Sequence, residues 1–257
     1  MKQGNKNMLI KFITLMTLIG NVFPLSGQTL QIETINVAPF GFIGDNSKPT
    51  GMMFEISNRI AEVAGLNYTN KIIPYARTII HLKQGKSDFV LRFNNDQLPA
   101  ISIPLVSVIT MPIIILSRAG THYRSLKDLH GKTVGVVRGG EFDVNFDNDT
   151  AINKVEVNNY TQMLKLLISG RIDGCIGTNV GLYYNAKQLG IKPDVLNSPL
   201  QLSFKDFVLH FSKKKINTQT MKILKKSVEK LKVMGRSRQS STNTSAISNS
   251  GFHQAIN

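Results

Sequence analysis

One short pattern occurs twice in this chain, 85 positions apart. The first copy runs from Tyr75 to Asp88 and the second from Tyr160 to Asp173. Tyr75 pairs with Tyr160, Leu82 with Leu167, Gly85 with Gly170, Lys86 with Arg171 and Asp88 with Asp173. In each copy an amphipathic stretch runs into a glycine, a basic residue and an aspartate, followed by an apolar run. A glycine just past a helix takes the left-handed conformation that closes it without a Cβ clash. The apolar runs, Phe89-Val90-Leu91 and Gly174-Cys175-Ile176, read as buried strands. Two helix–turn–strand units at one offset predict two α/β lobes built alike, and clefts between such lobes are where small molecules bind.

The N-terminus has a different character. Lys2, Lys6 and Lys11 form a basic head, Phe12 to Phe23 is mostly apolar, and small residues surround a cut after Gly27. This layout is that of a secretory signal peptide over residues 1–27. The apolar part is shorter than the ~20 residues that span a bilayer. A second uncharged run, Ile101 to Leu116, is interrupted by Pro104 and Pro112 and reads as buried strand and crossover segments. Cys175 is the only cysteine, so a disulfide within the chain and a lipid anchor near the cut are both excluded; it reads as a small buried hydrophobe. Export without an anchor points to the periplasm. The net charge of +15 favours anionic ligands or surfaces. The basic residues are scattered, with no run longer than Lys213-Lys214-Lys215, so nucleic acid is not an expected partner.

Along the chain, the pattern predicts a strand at Ile32–Val37, a helix over residues 54–64 stopped by Gly65, and a strand at Tyr68–Ile73, followed by the first repeat. Arg118 to Tyr123 is read as a crossing between lobes and Ser125 to Gly131 as a capped turn. A strand at Thr133–Val137 leads into a helix near Glu141–Phe146, and a strand at Val155–Val157 precedes the second repeat. A helix at Asn179–Leu189, a strand at Phe204–Phe211 and a helix at Thr218–Val233 complete the ordered part. From Gly235 the chain turns polar and is expected to be a disordered tail over 235–257.

Four stretches together resemble the extracellular solute-binding proteins of family 3, the polar amino-acid type of periplasmic binding protein. They are Pro39-Phe40-Gly41-Phe42 with Gly51, Pro74 to Asp88, Ser125 to Val136 with Arg138-Gly139, and Leu167 to Gly177. The resemblance covers about Ile32 to Val233. It implies an α/β, two-lobed Venus-flytrap fold with crossover strands: lobe one at 28–117 plus 201–234, lobe two at 118–200. It also implies a monomer that closes on a small polar or anionic solute and delivers it to an inner-membrane ABC permease, or to a sensor protein in a signalling system. Family members that bind α-amino acids hold the carboxylate with an arginine shortly after the first repeat strand. In this chain Pro99 stands there, within Asp96–Ala100. They hold the ammonium with an acid just after the second repeat strand, where this chain has Thr178 followed by Asn179. Both charged anchors are missing, which points away from an ordinary α-amino acid.

The residues expected at the ligand are Phe40, Phe42, Tyr75, Arg77, Arg92, Asn94, Arg138, Gly139, Gly140, Thr178 and Asn179. For Phe40 and Phe42 the competing role is core packing, and for Arg77 a solvated helix face. Arg92 follows a buried strand at the end where α/β sheets bind ligands. Arg138-Gly139-Gly140 joins a strand to a helix, where backbone N–H groups hold anions. Asp88 and Asp173 are read as structural, bonding turn N–H groups. The five histidines have no metal-ligand spacing, and no cofactor motif is present: Gly135, Gly139 and Gly140 do not make a dinucleotide fingerprint. No nucleophile elbow appears, and Glu141 is the one acid placed near the cleft, so an enzyme such as a dehydratase-like lyase is disfavoured.

Overall fold

The computed structural model describes residues 29–243, with side chains to 235; the expected signal peptide and the last part of the tail lie outside the described residues. Ten strands and seven α-helices follow in order. They are β1 (Leu30–Ile35), β2 (Phe42–Ile43), β3 (Pro49–Thr50), α1 (Met52–Val63), β4 (Tyr68–Ile73), α2 (Tyr75–Gln84), β5 (Phe89–Arg92), α3 (Leu98–Ile101) and β6 (Ser102–Ser117). Then come β7 (Thr133–Val137), α4 (Val144–Asn148), β8 (Asn153–Val157), α5 (Tyr160–Ile168), β9 (Gly174–Thr178), α6 (Asn179–Gln188), β10 (Leu200–Ser212) and α7 (Thr218–Asn243).

Eight strands form one sheet in the order β4-β1-β5-β10-β6-β9-β7-β8. Its outer thirds are parallel: β1 pairs with β4 and β5, and β7 with β8 and β9. The long strands β6 and β10 run antiparallel at the centre and belong to both halves, giving the two-lobed arrangement. The expected crossing at Arg118–Tyr123 is instead made by β6, one strand of 16 residues. Its prolines are tolerated because β9 pairs only with Ile113–Ser117, leaving one edge of the earlier part open, and because the register with β10 shifts between Leu209 and His210.

The repeats fold alike. Each begins an α-helix at its tyrosine and leaves the helix through a left-handed glycine, Gly85 at φ 71° and Gly170 at φ 76°. Asp88 Oδ2 then accepts from Gln31 N at 2.7 Å, and Asp173 Oδ2 accepts from Thr133 N at 2.8 Å. The two carboxylates therefore each tie a repeat to the start of its neighbouring strand; their role is structural, as expected, but the N–H groups they bond belong to those strands and not to the turns.

Two local differences have clear causes. The helix expected near Glu141–Phe146 begins at Val144, because Asp143 Oδ1 caps it by accepting from Asn145 N and Phe146 N. The last helix passes Val233 and Gly235 and runs to Asn243, so the polar tail is helical at its start; a helix already nucleated extends at little cost per residue.

Candidate functional site

A cleft of about 390 Å³ lies where the two halves face each other. One half contributes Asn36 after β1, Phe42 on β2, and Tyr75 and Ala76 at the start of α2. The other contributes Arg138 after β7, Asn158 and Asn159 between β8 and α5, Thr161 on α5 and Asn185 on α6. Most of these positions follow strand C-termini or open helices, which is where α/β sheets gather ligand groups. The lining is rich in carboxamides, and it has no carboxylate among the described residues. Arg138 is largely exposed and pairs with Glu156 on the neighbouring strand at 3.1 Å.

Several groups at this site hold the halves together. Asn185 Nδ2 donates across to Ala38 O at 2.7 Å and to Gly181 O at 2.8 Å, while its Oδ1 accepts from Thr161 Oγ1 at 2.8 Å. Gly139, at φ 73°, comes so close to α2 that a Cβ there would sit 3.3 Å from Ala76 Cβ. Phe42 and Tyr184 face each other with ring centroids 6.0 Å apart.

Beside the polar cleft the halves meet through aromatic rings. Phe40 and Phe207 lie 5.0 Å apart, Phe207 and Phe93 4.3 Å, and Phe93 and Phe142 6.5 Å. These rings, with Tyr75, Gly140 and Tyr160, leave a space of only about 20 Å³. Phe40 is accordingly buried in core packing, the competing role considered for it.

A third opening, about 640 Å³, lies on the side of the crossover strands and includes Asn94, Asp96, Glu141, Asp143, Asp147 and Lys205. Burial raises the Asp147 pKa and lowers that of Lys205. Lys205 Nζ bridges the halves by donating to Glu141 O at 2.5 Å and Asn94 O at 3.5 Å. Asp143 and Asp147 spend their carboxylates on the backbone N–H groups of the Phe142–Phe146 turn.

The expected site residues therefore divide. Phe42, Tyr75 and Arg138 line the polar cleft, and Gly139 closes against it. Phe40 and Gly140 belong to the aromatic contact. Asn94 and Glu141 stand at the acidic opening, and Arg77 is exposed on α2 outside the cleft lining. Thr178 is fully buried as the cap of α6, accepting from Gly181 N at 3.0 Å, and Asn179 Oδ1 accepts from Val180 N at 2.7 Å. Arg92 is wholly buried under the Tyr75 ring, 4.4 Å from its centroid, and donates to Thr78 Oγ1 at 2.6 Å.

Sequence reasoning missed Asn36, Asn158, Asn159, Thr161 and Asn185. Asn159 carried a usable signal, since it precedes the second repeat helix as its N-cap and accepts from Gln162 N at 2.9 Å. Asn185 carried none: its role depends on which loop α6 meets across the cleft.

The sheet order, the paired repeats and the cleft between them define a two-lobed periplasmic-binding-protein fold. The chain belongs to the bacterial extracellular solute-binding proteins, family 3, whose model matches residues 31–239. It is similar to the probable amino-acid-binding protein YxeM of Bacillus subtilis (strain 168), with 20% identity over 224 residues, covering 82% of this chain and 84% of the relative. Among solved structures, holo ArgBP from T. maritima matches with a TM-score of 0.66 at 20% identity, covering 80% of this chain and 91% of its own. A histidine kinase sensor domain with similarity to periplasmic binding proteins matches with a TM-score of 0.71 at 18% identity, covering 82% and 92%. No helix among the described residues is long and apolar enough to cross a membrane.

Proposed function

We propose that this protein captures a small neutral or anionic polar solute in the asparagine-lined cleft and delivers it, from the periplasm, to an inner-membrane ABC permease. The carrying observation is the lining itself: carboxamides, Thr161, Tyr75 and Arg138, with no carboxylate among the described lining residues. Carboxamides both donate and accept, which suits hydroxyl, amide and carbonyl groups. A buried ammonium or guanidinium group would lack a counter-charge there, at a cost of several kcal/mol. YxeM is named as a probable amino-acid-binding protein and ArgBP structures include arginine-bound forms; this cleft favours a different charge class. Placement of Thr178 as a helix cap, with no acid in its position, supports the same reading.

A thermal-shift screen of residues 28–257 against neutral, anionic and cationic solutes tests it. A solute at 100 times its Kd stabilises by about 2.7 kcal/mol. The expected hits are neutral or anionic, and they weaken in Asn159→Ala and Arg138→Ala. Selective stabilisation by arginine or lysine would overturn the proposed charge class. If permease and ATPase components fail to respond to the loaded protein while a sensor kinase does, the delivery step is replaced by sensing.

A further inference from the structure

The stretch from Lys213 to Lys232 holds eight lysines and a single acid, Glu229. Its helical part belongs to α7, which packs on α1 and β6 through one face. On that face Leu224, Ser227 and Val228 are buried, and Met221 and Leu231 rest against the same core. Lys222, Lys225, Lys226 and Lys230 lie on the opposite face, all exposed, at three- and four-residue spacings. Val233 continues that face at 61% exposure, with Met234 beside it at 37%. Arg236 and Arg238 follow within the same helix.

Such a face is costly for the helix on its own. Lys222, Lys226 and Lys230 are like charges four residues apart, an arrangement that destabilises a helix. None of the four lysines joins an ion pair among the described residues. The helix dipole does not account for them, since it acts within the first and last turns and they lie in neither. A partner of opposite charge relieves the repulsion, so the face is complementary to a polyanion. Shape and residue type narrow that partner. No residue of α7 lines a cavity described above, so the face gives a small anion no enclosure. No aromatic residue lies between Phe211 and Phe252, so nothing there stacks on nucleic-acid bases. Lysine lacks the arginine fork that grips a phosphate through two bonds; its long stem lies along apolar surface while the ammonium reaches a head group. Apolar side chains exposed at the end of a lysine row suit a layer that is anionic outside and hydrocarbon beneath.

We infer that this face of α7 docks on an anionic lipid bilayer, with the lysines at the head-group phosphates and Val233 and Met234 in the layer beneath. The helix stays in the fold as it docks, because its apolar face remains in the core and its basic face already points outward. Docking does not depend on what the interlobe cleft binds, so either reading can fail without the other.

Flotation of residues 28–257 with vesicles tests the inference. Vesicles of phosphatidylcholine mixed with phosphatidylglycerol are expected to carry the protein up, and vesicles of phosphatidylcholine alone are not. Binding is expected to fall at least tenfold as salt rises from about 0.05 to about 0.5 M, where the screening length drops to a few ångströms. Lys222→Gln, Lys225→Gln, Lys226→Gln and Lys230→Gln, combined in one variant, keep the helix propensity. They are expected to lower vesicle affinity at least tenfold, since each lysine near such a surface contributes about a fivefold factor. The same charge removed from exposed lysines of the other half, as Lys127→Gln, Lys132→Gln, Lys165→Gln and Lys187→Gln, is expected to leave affinity nearly unchanged. The chain has no tryptophan, so Val233→Trp supplies a single fluorophore. Its emission is expected to shift to the blue on anionic vesicles, while that of Val195→Trp, exposed in the other half, stays at its aqueous position. Equal loss in the two lysine variants would assign the attraction to net charge instead of this face and overturn the inference. An unshifted Val233→Trp, no flotation at low salt, or tighter binding of a DNA oligonucleotide than of anionic vesicles would each overturn it too.

Discussion

Tyr75 and Tyr160 begin equivalent helices, yet their rings rest on different floors. Under Tyr160 lies Gly177, where a Cβ would come within 2.4 Å of the ring, which can therefore bury and accept from Thr178 N at 3.2 Å. Burial pushes the Tyr160 pKa up to about 12. The position equivalent to Gly177 in the first repeat is Arg92, and its guanidinium holds the Tyr75 ring outward toward the cleft. Gly177→Ala should accordingly destabilise by about 1–3 kcal/mol through overpacking, read as a lower urea midpoint; an unchanged midpoint would mean that the Tyr160 ring moves freely. Arg92→Met should leave the midpoint close to that of the parent, since the cost of burying a charge that no carboxylate faces offsets the hydrogen bonds it makes to Thr78 Oγ1 and Tyr75 O. His210 sets a pH dependence of definite sign. Its folded pKa of about 4 lies below the ordinary 6.5, so the unfolded chain binds the proton first as pH falls. Stability is full above 6.5 and declines between 6.5 and about 4, by up to about 3 kcal/mol in all. Urea titrations at pH 7 and pH 4.5 should show that loss, and His210→Gln should reduce the difference between them.

Each repeat behaves as an interchangeable unit: tyrosine-led helix, left-handed glycine, then a carboxylate clamp on the next strand. Asp88→Ala and Asp173→Ala should each cost about 1.5–3 kcal/mol, the range for a hydrogen bond to a charged group. The loss should be larger at Asp88, which is only 3% exposed; differential scanning calorimetry checks both. These units were legible because their signals are local: a helical period, a glycine that must take positive φ, and an aspartate next to an N–H row. The same locality explains what escaped. Ile101–Leu116 shows two prolines and no alternation, and only its antiparallel partners β10 and β9 make it one strand. Glu141 looked like a helix start, but Asp143 supplies the better cap two residues later. The carboxamides of the cleft come from three separate stretches of chain, and nothing within any one stretch says that they converge. Arg92 illustrates the middle case. Its position after a buried strand was readable, but the face it takes was decided by pairing with β10.

Three kinds of contact join the two halves across the cleft. Asn185 donates across the cleft to Ala38 O, Lys205 bridges Glu141 O and Asn94 O, and the Phe40–Phe207–Phe93–Phe142 series packs the gap between the halves. Because the polar cleft needs groups from both halves, solute affinity depends on the fraction of molecules that are closed. The aromatic contact should dominate that balance, since one hydrogen bond contributes about 1 kcal/mol and truncating a buried phenylalanine costs about 3–5 kcal/mol. Phe142 is the ring to remove: it comes from the β7–α4 connection and is only 4% exposed, and its partner Phe93 follows β5 in the other half. Phe142→Ala should shift the closed-to-open ratio by about 100-fold for a 3 kcal/mol loss, with each half still folded. Small-angle scattering should then show a larger radius of gyration for the variant without solute, returning toward the parent value once solute saturates it. Asn185→Ala should move the radius in the same direction by less. Identical scattering for Phe142→Ala and its parent, with identical solute affinity, would show that the crossover strands β6 and β10 alone hold the halves in place and that the aromatic series serves stability instead of closure.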